Sequence, residues 1–188
     1  MRENFKIEDK NTGKIYWHSR SVAVTGLIAA KDFNKNEAYV LLERRGSGCP
    51  DNVGKLCCVC GYLNWDETRL DALKRETYEE TGLEIDNSFC NIRELETVDD
   101  PTRDANQNVV TRYLIWYGFY SELKKKLDSG VINIDTKSRG GEDNEVSEFL
   151  LLSESQIKNL PSEEFAFNHK EMILEVLDKI FKTPENLI

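Results

Sequence analysis

Three carboxylates, Glu76, Glu79 and Glu80, stand within little more than one helical turn of one another. At about 100° per residue and with Glu76 as origin, Glu80 falls near ~40° and Glu79 near ~300°. Leu70, Leu73 and Thr77 occupy the neighbouring arc, so the spacing predicts an acidic face bordering the stripe that packs on a sheet. Like charges at these spacings each oppose the helix by a few tenths of a kcal/mol. The helix dipole also disfavours anions near a C-terminus, where Lys or Arg would serve stability better. A cation should offset them, and hard divalent ions such as Mg²⁺ take oxygen ligands of this kind. The plainer alternative is a solvated acidic face, with Arg75 bridging to Glu79 and Asp71.

The surroundings favour chemistry. Gly61, Glu67, Arg75, Glu76, Glu79, Glu80, Gly82 and Leu83 follow the spacing G-x5-E-x7-R-E-U-x-E-E-x-G-U, where U is usually aliphatic. Only Thr77 departs, at the first U. This segment, residues 61–83, resembles the box of the Nudix hydrolases. The resemblance implies an α/β/α sandwich with a mixed central sheet. It also implies hydrolysis of a nucleoside diphosphate linked to another moiety, with Mg²⁺ or Mn²⁺. Carried over by position, Glu76, Glu79 and Glu80 are the implied metal ligands, joined by a backbone carbonyl of Cys60 or Gly61. Arg75 and Glu67 are the pair that orients loop and helix. Cys60 stands where many members have glycine, which a carbonyl ligand tolerates.

A diphosphate is polyanionic, so metal ions are needed to invert the field of a carboxylate cluster and to lower the pKa of water. A further carboxylate can then act as general base. Glu145 is the candidate, with Glu142 and Asp143 beside it; Glu79 or Glu80 is the alternative. Arg44, Arg45, Arg103 and Arg112 are the natural phosphate or ribose contacts, and Tyr62 or Trp65 could stack on a base. Surface solubility and packing are the competing roles for these side chains. A looser resemblance, to ADP-ribose pyrophosphatase-like members, rests on Asp99-Asp100-Pro101-Thr102-Arg103-Asp104, Val109-Val110-Thr111-Arg112-Tyr113-Leu114 and Phe167-Asn168-His169. It points to ADP-ribose or a nucleotide sugar. Three other readings stay open: a house-cleaning nucleoside triphosphate pyrophosphohydrolase, a non-catalytic ligand-sensing domain, and a diphosphate isomerase using a cysteine.

Around this helix, residues 21–30, 38–42, 55–60, 91–98, 109–120 and 146–152 have the apolar character of strands. Residues 68–81 form the central helix, begun by Asp66 or Thr68 and stopped by Gly82. Residues 121–128 are a weaker helix, Ser153 to Gln156 fits a capping box, and residues 167–181 form an amphipathic closing helix. No repeat or linker divides the chain. A single domain over residues 1–188 is expected, with residues 1–19 as an added strand or a dimer arm.

The 188 residues carry 25 basic and 34 acidic side chains, a net charge of −9, so a nucleic-acid polymer or an anionic membrane surface is disfavoured as partner. A small nucleoside diphosphate derivative fits better, and a homodimer is possible through the N-terminal strands. Five cysteines, an odd number without paired metal spacing, argue against a disulfide framework or zinc and for a reducing, cytoplasmic setting. No apolar run is long enough to span a bilayer, and the start lacks the apolar core of a secretory signal. The two histidines, His18 and His169, give little support to a Ser-His-Asp or Cys-His mechanism.

Overall fold

The computed structural model describes residues 4–86, 90–100, 102 and 107–182. Arg103 lies outside the described residues. The chain begins with β1 (Phe5–Glu8) and β2 (Ile15–His18), then β3 (Ser21–Asp32), β4 (Glu37–Arg45), β5 (Leu56–Cys57) and β6 (Val59–Tyr62). Helix α1 (Arg69–Thr81) follows, then β7 (Asn91–Asp99), β8 (Gln107–Phe119), α2 (Tyr120–Asp128), β9 (Val146–Ser153), α3 (Glu154–Asn159) and α4 (His169–Lys182).

Seven strands form one mixed sheet along the path β5-β4-β3-β8-β7, with β6 on β3 and β9 on β4. The pairing of β3 with β8 is parallel; the other pairings in this sheet are antiparallel. Strand β3 is buried without a break from Ala23 to Ala30, because helices cover both of its faces. Its Leu27 and Ala29 join Val40, Leu42, Ile157, Ile173 and Leu177 under α3 and α4. Val24, Ile28 and Ala30 join Leu41, Leu73 and Leu123 under α1 and α2. This is the α/β/α sandwich with a mixed central sheet that the motif implied. The N-terminal residues differ from a single added strand: β1 and β2 pair with each other as a separate two-stranded sheet.

The expected strand over residues 55–60 is two strands. β5 pairs with β4 and β6 with β3, so the chain changes partner at Cys58. The Cys58 N–H leaves the ladder and donates to His169 Nδ1 at 3.1 Å.

Helix α1 is set by local chemistry at both ends. The Thr68 side chain accepts from Asp71 N–H while Asp71 accepts from Thr68 N–H, and Gly82 closes the helix in the left-handed conformation at φ 80°. Asp71 is thus part of a cap and not a partner of Arg75. The buried face comprises Ala72, Leu73, Thr77, Glu80 and Thr81, whereas Leu70 is 40% exposed. The helix is therefore rotated relative to the sequence expectation, and Glu80 sits inside the buried stripe instead of at its border. Close approach to the sheet depends on Gly26, where a Cβ would lie 2.8 Å from Leu73 Cδ1.

Thr77 is fully buried and its Oγ1 has no hydrogen-bond partner among the described residues. An isosteric apolar side chain removes that desolvated hydroxyl. Thr77→Val should raise unfolding free energy by about 1 kcal/mol, read as a shifted urea midpoint with unchanged slope. A loss of stability would show that the hydroxyl has a partner after all.

Candidate active site

The last two turns of α1, the end of β4 and the loop before β9 converge on a cleft of about 490 Å³. Arg75 lies at its centre. It donates from Nε to Glu67 Oε2 (2.9 Å) and from Nη2 to Glu67 Oε1 (2.7 Å), a two-point pairing, and from Nη2 to the Tyr62 carbonyl (2.9 Å). Glu67 also accepts from Asn64 N–H at 2.7 Å, so one ion pair fixes the entering loop to the helix. Arg75 holds the Glu67 carboxyl below its ordinary range. Arg75 Nη1 turns the other way, 2.8 Å from Glu76 Oε1 and 3.0 Å from Glu79 Oε2.

Glu76 lies under Gly61. A Cβ at Gly61 would sit 2.0 Å from Glu76 Oε1, so only glycine leaves room for that carboxylate beneath β6. Glu80 is buried and accepts from Cys60 N–H at 3.3 Å. From β4, Glu43 comes against Glu80; it is buried too, and its Oε1 accepts from Cys57 Sγ at 3.1 Å. Its Oε2 has no well-aligned donor. Glu145, half-buried, accepts from Glu142 N–H at 3.2 Å and lines the same end of the cleft.

Burial and mutual repulsion raise the pKa of these groups. Burial, opposed by Arg75 and aided by Glu79 and Glu145, pushes Glu76 up to about 7. Burial raises Glu43 to about 7, with Cys57 opposing and Glu145 reinforcing. Glu80 rises well above its ordinary range through burial, then through Glu43, Cys60, Glu76 and Glu145. Burial raises Glu145 as well. Crowded oxygen donors of raised pKa fit a hard divalent cation, as does the glycine at 61 that lets the Glu76 carboxylate lie against the Cys60–Gly61 backbone. Among the described residues, no group of three such side chains is already drawn into a ligand set. Arg75 holds Glu76 and Glu79 instead, as expected of repelling carboxylates around a guanidinium.

The rest of the cleft is lined by Arg45, Arg112, Tyr62, Gln107 and residues 167–169. Arg45 donates to the carbonyl and carboxylate of Asp51, each at 3.1 Å, and lies 5.5 Å from the centroid of the Phe167 ring. Phe167 itself has φ 55°, a strained value for a bulky residue. Arg112 donates to Glu96 Oε1 at 2.7 Å. Arg44 and Trp65 do not line the cleft. Adjacent strand residues point to opposite faces, so Arg45 takes the cleft side while Arg44 pairs with Glu148. Trp65 is 90% exposed on the loop before α1. The cysteines are free thiols, and Cys57 and Cys58 are buried, as their spacing suggested.

Glu43 and Arg139 were not singled out from the sequence. Glu43 had a signal, a carboxylate ending the apolar run of β4 in step with Arg45. Arg139 had none nearby; it reaches α1 from sixty residues away.

The sequence profile of the NUDIX domain matches residues 19–176. No curated protein matches the chain. Among solved structures, a MutT/nudix family protein from Enterococcus faecalis superposes with TM-score 0.66 at 19% identity, over 92% of this chain and 67% of that one. The NUDIX domain of Shewanella oneidensis NrtR, solved with ADP ribose, gives 0.63 at 18% identity over 92% and 93%. NrtR was also solved with a 27mer DNA, in a chain of which 61% is covered (85% of this chain, TM-score 0.57, 18% identity). A bifunctional NMN adenylyltransferase/ADP ribose pyrophosphatase from Francisella tularensis gives 0.56 at 19% identity over 86% and 41%. With the domain match spanning most of its length, Glu76, Glu79 and Glu80 of the box on α1 and Glu67 on the loop before it, the chain belongs to the NUDIX family of pyrophosphohydrolases.

Proposed function

We propose that this chain hydrolyses the diphosphate linkage of a nucleoside diphosphate derivative, ADP-ribose or a nucleotide sugar first among them, with Mg²⁺ or Mn²⁺. The observation that carries the reading is the shape and charge of one cleft. Glu76, Glu79 and Glu145 line it together with Arg45, Arg112, Tyr62 and residues 167–169, while Glu80 lies buried just behind the lining, accepting from Cys60 N–H. The solved NUDIX domain with bound ADP ribose lends support to the substrate class.

Glu76, Glu79 and Glu80, with a backbone carbonyl of Cys60 or Gly61, would hold the cation. Bound there, a divalent ion supplies positive charge against the phosphate oxygens and makes water more acidic. Glu145 takes the proton from the attacking water, with Glu79 or Glu80 as the alternative base. Arg45 and Arg112 orient the phosphates or ribose, and Tyr62 stacks on the base. Water adds to one phosphorus while the bridging oxygen leaves with the other, giving two phosphomonoesters. Glu76 and Glu79, which Arg75 now holds, would serve the cation, with the Arg75–Glu67 pairing still fixing loop to helix.

A small molecule, not a nucleic-acid polymer, is the expected partner of a chain with net charge −9. The β1–β2 pair, with Ile7 and Ile15 exposed, is the proposed dimer arm. Free thiols agree with a reducing, cytoplasmic setting. The NrtR–DNA complex keeps a ligand-sensing role as second reading.

Incubation with ADP-ribose, nucleotide sugars, dinucleotides and nucleoside triphosphates, with Mg²⁺ or Mn²⁺ and chromatographic resolution of products, should show cleavage of ADP-ribose or a sugar nucleotide first. Cleavage of none, together with a gel shift on DNA, would favour sensing. Glu80→Gln should lose most of kcat, about a hundredfold or more, while still folding, because the amide matches the carboxyl in size and brings no charge into its buried site. Near-normal turnover would remove Glu80 from the mechanism.

The raised glutamates also set a pH dependence. Their folded-state pKa lies above the unfolded value, so their contribution is complete below about 4.5 and is lost as pH rises through about 7. The melting temperature of EDTA-treated protein should therefore fall between those pH values, and Mg²⁺ should restore most of it at pH 8. A flat profile, or no response to the cation, would contradict the charge crowding described above.

A further inference from the structure

Helix α1 ends without a basic residue in its last turn, although that turn carries Glu79 and Glu80. Its last four carbonyls, which no helical N–H can reach, are all accounted for. Gly82 N–H takes the Tyr78 carbonyl at 2.8 Å and Asn133 N–H takes Thr81 at 3.4 Å. The remaining pair go to a single distant side chain. Arg139 donates from Nε to the Glu79 carbonyl at 3.1 Å and from Nη2 to the Glu80 carbonyl at 3.0 Å. The fork is fixed in turn, Nη1 donating to Asn133 Oδ1 at 2.8 Å and Nη2 to the Asn133 carbonyl at 2.9 Å.

Arg139 ends the short 3₁₀ turn Lys137–Arg139, immediately before the loop that holds Glu145. That loop is packed against the helix: a Cβ at Gly140 would lie 3.3 Å from Glu79 Oε1, and one at Gly141 would lie 3.4 Å from Glu145 Oε2. Its far end is held by the loop after β4, where Gly46 N–H donates to the Glu145 carbonyl at 2.7 Å. Arg139 thus grips the backbone of the two residues whose carboxylates face Glu145, at the helix end where positive charge is favoured.

We propose that Arg139 is a positioning residue: by binding the Glu79 and Glu80 carbonyls it sets the span between the box carboxylates and Glu145, and so the affinity of the site for a divalent cation. The inference rests on the metal-dependent reading given above. Partners that orient ligands without touching the ion commonly govern affinity by about 10- to 100-fold. Lysine carries its donors on one nitrogen and cannot span the two carbonyls and Asn133 as the planar fork does.

The test is Mn²⁺ binding by the full chain, read by electron paramagnetic resonance, alongside thermal melting and kinetics. Arg139→Ala should weaken Mn²⁺ binding about tenfold or more and Arg139→Lys by less, with kcat falling more than KM rises. Asn133→Ala, which keeps Arg139 but frees one anchor, should lie between wild type and Arg139→Ala and serves if the latter does not fold. Leu177→Ala, in the core under α4, should melt earlier with Mn²⁺ affinity unchanged. Equal Mn²⁺ affinity in wild type and in the Arg139 and Asn133 variants would overturn the proposal, leaving Arg139 a helix cap. Failure of the wild-type chain to bind Mn²⁺ would instead overturn the metal-dependent reading itself.

Discussion

In its last two turns helix α1 places Glu76, Glu79 and Glu80 where the partial negative charge of its own carbonyls opposes them, and the sheet shuts out much of the water. The rest of the site follows from containing that repulsion. Arg75 meets Glu76 and Glu79 from within the helix while its other edge holds Glu67. Arg139 meets the helix end from outside. Glu43 and Glu80 are buried together, and burial moves both towards the protonated form. Each device offsets part of the charge, and none removes it.

The sheet explains why the cleft lies where it does. Strand β3 shares one edge between β4, over Ile28 to Asp32, and β6, over Ala23 to Gly26. The chain must cross from β4 to β3 at Cys58, and a crossing leaves a backbone donor without a ladder partner. His169 supplies the acceptor through Nδ1. With Nδ1 accepting, the neutral ring carries its proton on Nε2. The histidine at the start of α4 is therefore structural in one respect, yet it also lines the cleft, because the parting of the strands is what opens it.

How far the sequence could be read depended on the range of the interactions involved. Helix α1 was legible because its caps, Thr68 and Gly82, act within a few residues, whereas the Arg75–Glu67 pair, eight residues apart, came from the resemblance to the family box. The two-layered covering of the sheet came from the resemblance of residues 61–83 to the family box, since the apolar run of β3, interrupted by Thr25 and Gly26, indicates only a strand. Phase was harder. Choosing Arg45 over Arg44 needs the face of β4 that turns to the cleft, and choosing Ala72 over Leu70 needs the rotation of α1. That rotation turns Glu80 inward, which hydrophobic periodicity alone would not do, since it assigns a carboxylate to the water side. Glu43 and Arg139 act through contacts that exist only once β4, α1 and the loop before β9 are assembled.

The same distinction separates what the family box can specify from what it leaves to each protein. Residues 61–83 provide the carboxylates, the glycine beneath which Glu76 lies, and the arginine that orders the loop. They provide neither the second wall of the site nor a counter-charge for the helix end. Here the segment between α2 and β9 supplies both, Arg139 for the helix and Glu145 for the wall, within seven residues of chain. Since one loop does both tasks, any change in its path moves charge compensation and the wall together. Carboxylate placement and helix termination in this protein are thus one constraint, carried by the backbone carbonyls of Glu79 and Glu80.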